Sequence, residues 1–134
     1  MQNNARYRIV AMAVGLLLAA ASLLSAKDFP GGIRLDRTVH DFGKITLKDG
    51  PCSCEFTVEN CGETPFNIQA VISSCGCTTP EWTRTDIPAG GKGTIRATYS
   101  NDEGAFPFDK TLTVYISGSP KPIVLHLRGE VVEK

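Results

Sequence analysis

Two cysteines separated by one glycine, Cys75-Gly76-Cys77 in the stretch "VISSCGCTTPEW", are the residues of this chain best suited to chemistry. Cys52, Cys54 and Cys61 lie upstream, so all five cysteines fall within residues 52–77. Thiols gathered in this way can exchange disulfides, hold a soft metal ion, or staple and pack a small domain. Geometry sorts the pairs. A disulfide needs Cβ atoms about 3.8 Å apart, whereas residues i and i+2 on one face of a strand hold theirs roughly 6 to 7 Å apart. Cys52 and Cys54 occupy such an alternating run and should not bridge each other. Cys75 and Cys77 differ, because Gly76 can enter backbone conformations closed to other residues and fold the segment tightly. A bridge inside that loop would be strained and readily exchanged with other thiols.

Each chemistry makes a demand that the sequence meets only in part. Redox catalysts lower the pKa of the attacking thiol with a helix N-terminus or a neighbouring cation. No helix follows Cys77 here, and the nearest base downstream is Arg84. A metal site would use Cys75 and Cys77, joined by Cys52, Cys54 or Cys61 if the fold brings them close, and would suit copper(I) or zinc. Both "CSC" and "CGC" are narrower than the usual zinc spacing. The third reading is structural. On it, Cys52 and Cys54 point inward beside Phe56 as small apolar groups. Cys61 would bridge to one of Cys75 and Cys77, stiffening the domain by roughly 2 to 4 kcal/mol. The sequence favours this reading, so no catalytic residue, cofactor or metal site is assigned, with Cys75 and Cys77 kept as the metal candidates.

Other polar residues carry weaker signals. His40 and Asp41 are adjacent, so in a strand they face opposite ways. The expectation is His40 on the exposed face and Asp41 bonded to a nearby backbone amide. His126 alternates with Leu125 and Leu127 and should face solvent. Ser73, Ser74, Thr78 and Thr79 offer hydroxyls without a local histidine to activate them. Gly90, Gly91 and Gly93 precede a strand, which reads as a turn and not a phosphate cradle. Trp82, just past the cysteine pair, is the candidate contact residue for a partner.

The elements that would position these residues are short and alternating. Residues 1–26 stand apart: Arg6 and Arg8 precede an almost wholly apolar run, "IVAMAVGLLLAAASLL", which ends at "LLSA" before Lys27. This is the layout of a secretory signal helix cleaved after Ala26, with an uncleaved membrane anchor as the alternative. Either way the remainder, 27–134, would lie outside the cytoplasm. Removing 26 residues from 134 leaves 108, enough for one modest core. The leader takes two of the 14 basic residues and none of the 14 acidic ones, so the rest is slightly acidic and offers nucleic acid no basic face.

From about residue 33 onward, alternating runs are separated by turn residues, and no helical period is sustained. Cys52, Cys54, Phe56 and Val58 share a face, as do Ile95, Ala97 and Tyr99, then Leu112, Val114 and Ile116, then Ile123, Leu125 and Leu127. The same alternation assigns Phe66, Ile68, Ala70 and Ile72 to a buried face. The pattern predicts an all-β chain, an antiparallel β-sandwich of about seven strands.

"HDFGKI", "FTVENCGETPFNIQAVISSCGCTTPEW", "IPAGGKGTIRATY" and "GAFPFDKTLTV", in that order, resemble the DUF1573 domain. That resemblance covers nearly all of residues 27–134 and implies an immunoglobulin-like domain, related to PapD, MSP and ASH domains, in exported proteins of Bacteroidetes and related bacteria. Cys52, Cys54 and Cys61 depart from what the resemblance leads one to expect. It implies no specific activity. The expectation is a non-enzymatic, periplasmic or extracellular domain with a protein partner in the envelope, touching membrane only through an uncleaved leader. The alternative is a thiol-redox or soft-metal handling protein that uses Cys75-Gly76-Cys77.

Overall fold

The computed structural model describes residues 26–133. The leader expected over 1–26 thus lies outside the described residues, apart from Ala26. Among the described residues no helix is long and apolar enough to cross a membrane. They form nine strands: β1 (Lys27–Phe29), β2 (Ile33–Leu35), β3 (Val39–Thr46), β4 (Cys52–Asn60), β5 (Ile68–Ser73), β6 (Thr78–Trp82), β7 (Lys92–Tyr99), β8 (Pro107–Ile116) and β9 (Ile123–Val132), with a 3-10 turn at Leu47–Asp49. Two sheets result, one in the order β1-β2-β4-β7-β6 and the other β3-β9-β8-β5.

Two of the nine strands account for the excess over seven. β1 is a three-residue hairpin arm against β2. β6, "TTPEW", pairs with β7 where the sequence reads as loop. Nor is the sandwich wholly antiparallel, because β3 runs parallel to β9. These two strands come from opposite ends of the domain, and only a long connection permits parallel pairing.

The alternation of β4, β7, β8 and β9 is the one the sequence predicts. Phe56, Val58, Ile95, Ala97, Tyr99, Leu112, Val114, Leu125 and Leu127 are at most 1% exposed and fill the space between the sheets. β5 departs from its pattern. Its register against β8 slips between Ile68 and Ala70, so that Val71 is buried and Ile72 is exposed. One extra residue in a strand reverses every later side chain. Ile72, expected in the core, therefore faces solvent.

The end of β4 is tied down by a residue that the sequence did not single out. Asn60 is fully buried. Its Nδ2 donates to the carbonyls of Thr64 (2.9 Å) and Ile87 (3.0 Å), and its Oδ1 accepts from the Gly62 amide (3.0 Å). The Gly62 backbone sits so close to Gly32, itself at φ 76°, that a Cβ on Gly32 would fall 2.6 Å from it. Replacing Asn60 by alanine removes three hydrogen bonds, one buried and two part-buried. Asn60→Ala is expected to lower stability by about 3 kcal/mol, read as an earlier urea midpoint with unchanged slope.

Candidate functional site

β5 ends in one sheet and β6 begins in the other, so the segment Ser74–Cys77 crosses the open end of the sandwich. The crossing is pinned on both sides. Ser73 Oγ donates to the Cys75 carbonyl (2.8 Å), the Ser74 amide donates to Thr111 (2.9 Å), and the Ser100 amide donates to the Cys77 carbonyl (2.8 Å). Cys75 and Cys77 are joined by a disulfide with Cα atoms 5.3 Å apart, within the range that bridges require. Both cysteines are half-buried, while Gly76 at the apex is exposed, with nothing within 4 Å of where a Cβ would stand. Gly76 does not lie in the left-handed region. Glycine's access to that region, invoked from the sequence, is thus not what closes this loop.

The remaining thiols are dispersed. Cys61 is exposed and free, so the staple expected between Cys61 and the pair is not the bridge present. Register explains why. Cys52 pairs with Tyr99, which pairs with Thr78, so Cys77 sits near the start of β4. Cys61 lies past its other end, roughly 30 Å of extended chain away. Cys54 is buried next to Phe56, as expected, and burial pushes its thiol up to about 11. Cys52 is half-buried, its thiol also raised by burial and then by Asp49, and its Sγ lies 3.4 Å from the Gly50 carbonyl.

The structure adds to the cysteine pair a residue without local sequence signal. A carboxylate oxygen of Glu103 and the two sulfurs lie within 4.8 Å of one another. Glu103 is held there by the Tyr99 hydroxyl, which donates to Oε1 at 3.1 Å, and by Lys110 Nζ at 3.1 Å. Tyr99 is itself fixed by stacking on Phe108, centroids 4.1 Å apart. Burial first, then the bond to Glu103, pushes the Tyr99 phenol up to about 12. The loop carrying Glu103 starts at Asn101, a buried residue at φ 56° whose Nδ2 donates to the carbonyls of Thr46 (2.8 Å) and Gly50 (3.0 Å). Only tertiary pairing of β7 with β6 brings Glu103 to the cysteines.

Trp82 is half-buried against the core, with the Arg84 guanidinium 3.7 Å over its ring, so it presents little free surface. His40 is half-buried and not on the exposed face as expected. It stands edge-on to Phe42 at 4.5 Å, with Arg37 Nη2 3.1 Å from Nδ1. Asp41 accepts from the Gly43 amide at 2.7 Å. His126 faces outward and bonds Asp109 (2.8 Å), which also accepts from Arg128 (3.0 Å). The bond from His126 is the main cause holding the Asp109 carboxyl below its usual range.

A second feature lies on the outer face of the four-stranded sheet. Ile72, Tyr115 and Val124 are 56%, 43% and 44% exposed. Ile72 pairs with Thr113, which pairs with Val124, and the neighbouring row is Ala70 with Tyr115. These side chains form one apolar patch across β5, β8 and β9, at the rim of a depression of about 260 Å³ lined by Gln69, Tyr115, Pro120 and Pro122. β5 is an edge strand of that sheet, and its sequence, "IQAVIS", holds no charge and no proline. The other edges are blunted: β1 carries Lys27 and Asp28, β6 carries Pro80 and Glu81, and β3 is kinked between Asp41 and Lys44.

A family model described as "Protein of unknown function (DUF1573)" matches residues 33–131. No curated protein matches the sequence. Among solved structures, a protein of unknown function from Porphyromonas gingivalis W83 is similar over 75% of this chain and 46% of its own, with TM-score 0.60 and 20% identity. A secreted serine protease of Vibrio cholerae, VesC, is similar over 76% of this chain and 23% of its own, with TM-score 0.59 and 14% identity. The chain thus spans less than half the length of either. The ASH / PapD-like domain 7 of human CEP192 is similar over 81% of this chain and 90% of its own, with TM-score 0.57 and 11% identity. At these identities the likeness is one of fold: an immunoglobulin-like sandwich of the PapD kind.

Two measurements check the site. Alkylation of the folded protein at about pH 8 should modify Cys61 first, Cys52 more slowly and Cys54 only on unfolding, with Cys75 and Cys77 silent until a reductant is added. Peptide mass spectrometry reads the order. The raised thiol and phenol set the alkaline limit. Unfolding returns Cys54 and Tyr99 to ordinary values of 9.0 and 10.0, so above about pH 9 the unfolded chain binds fewer protons than the folded one. The thermal midpoint should therefore fall as pH rises from about 9 toward 12. A midpoint that holds steady or climbs there contradicts the assignment.

Proposed function

The chain belongs to the DUF1573 family, and we propose that it serves as a non-enzymatic binding domain in the cell envelope, docking an extended segment of a partner protein along β5. The observation that carries this reading is the pairing of an unprotected edge with an exposed apolar face. An edge strand offers unpaired backbone donors and acceptors, and natural sheets ordinarily blunt it with charge, proline or a bulge. Here β1 and β6 carry charge or proline and β3 combines a bulge with charged residues, while β5, bulged between Ile68 and Ala70, carries neither charge nor proline.

An added strand would take backbone hydrogen bonds from that edge. Its alternate side chains would lie beside Ile72, and one end would reach the Tyr115 and Pro120 depression. Apolar surface of this kind on the solvent face of a sheet marks interaction sites. The apolar leader of residues 1–26 supports an exported location.

Site-specific photo-crosslinking in the producing cell tests the proposal. A photoreactive side chain at position 72 or 124 should capture a protein partner, and one at position 53, on the outer face of the other sheet, should not. Ile72→Lys should abolish capture from position 124 while changing stability by less than about 0.5 kcal/mol, as exposed substitutions do. Equal capture from position 53, or none from 72 and 124, would remove the reading.

A further inference from the structure

The convergence of Cys75, Cys77 and Glu103 makes a second, independent site. We infer that the reduced form of the Cys75-Gly76-Cys77 turn binds one thiophilic divalent cation, with zinc the best fit, through both sulfurs and the Glu103 carboxylate. Three potential ligand atoms already lie within 4.8 Å of one another. Zinc holds thiolate sulfur at about 2.3 Å and carboxylate oxygen at about 2.0 to 2.2 Å, so tetrahedral ligands stand roughly 3.5 to 4 Å apart. Opening the disulfide lets the sulfurs separate to that spacing with little movement of the backbone, since the Cα atoms are already 5.3 Å apart. Water would complete the tetrahedron from the side of Gly76, where space is open.

The surroundings favour this cation in particular. A carboxylate oxygen suits zinc and does not suit copper(I), which prefers sulfur alone. Two thiolates and one carboxylate around a dication leave one negative charge, and the Lys110 ammonium, 3.1 Å from Glu103, offsets it. The Tyr99 hydroxyl donates to Oε1, and the Lys110 ammonium lies 3.1 Å from Oε1 and 3.4 Å from Oε2, contacts that orient the carboxylate. The Thr78 hydroxyl, 3.7 Å from Cys77 Sγ, is placed to donate to the thiolate.

The chemistry balances with a dithiol as reductant. The Cys75–Cys77 bond takes two electrons and two protons and becomes two thiols, while the reductant closes its own disulfide. Binding of one zinc ion then releases two protons to water. The oxidised turn has no thiolates to offer, so the bridge and an ion at this site exclude each other.

The test uses the full-length chain, reduced with a dithiol that is then removed without air, and titrated with zinc against a colorimetric chelator. Cobalt(II) serves as a spectroscopic stand-in, because its thiolate charge-transfer band reports sulfur ligation. The expected result is one ion per reduced chain with that band present, and none per oxidised chain. Binding should be lost in Cys75→Ser and Cys77→Ser, weakened at least about tenfold in Glu103→Gln, and unchanged in Cys61→Ser. Glu103 is exposed, so Glu103→Gln keeps its fold and the test stays decisive if the cysteine variants do not. A reduced chain that takes no ion, an affinity indifferent to Glu103→Gln, or equal binding by the oxidised chain would each overturn the inference.

Discussion

One layer of aliphatic and aromatic side chains, buried between two sheets, is the constraint to which the rest of the molecule answers. Phe56, Ile95, Leu112, Leu125, Leu127 and Tyr99 are fully enclosed, and burying a side chain of this size contributes roughly 1.5 to 3 kcal/mol before the entropy of ordering it. Tyr99 has a double role. Its ring closes the core against Phe108, and its covered hydroxyl donates to Glu103. The cysteine turn and the acidic residue beside it are thus positioned by the same packing that stabilises the fold.

The two features argued to be functional follow from opposite uses of a sheet. At the rim, the chain must cross from one layer to the other, and a short pinned crossing gathers residues distant in sequence. Along β5 the chain leaves an edge open. A bulge there reverses the side chains of the strand, placing Val71 in the core and Ile72 outside. That reversal has a cost in exposed apolar surface, and it yields a continuous patch with Tyr115 and Val124. Nothing in the packing of the core requires Ile72 to be apolar, which is why the patch supports a binding role.

The five thiols show how little composition says about cysteine chemistry. They lie within residues 52–77, yet the fold sorts them into three settings. Cys54 is sealed in the core and its thiol raised by burial; Cys61 is exposed at the far end of β4; Cys75 and Cys77 meet at the rim with Cys52 in the adjacent row. The register of β4, β7 and β6 makes this division, and it separates Cys61 from the pair it was expected to join.

Strict alternation in β4, β7, β8 and β9 determined the fold class and most of the core, because a strand with one face buried permits only a period of two. The same rule kept Cys52 from Cys54 and placed His126 outside. Four matters were left to the tertiary structure: the bulge in β5, the strand at "TTPEW", the closure of Cys75 on Cys77, and the arrival of Glu103 beside them. Each depends on which strand becomes a neighbour and in what register. Such pairing is settled by contacts between residues far apart in the chain, and local periodicity does not encode it.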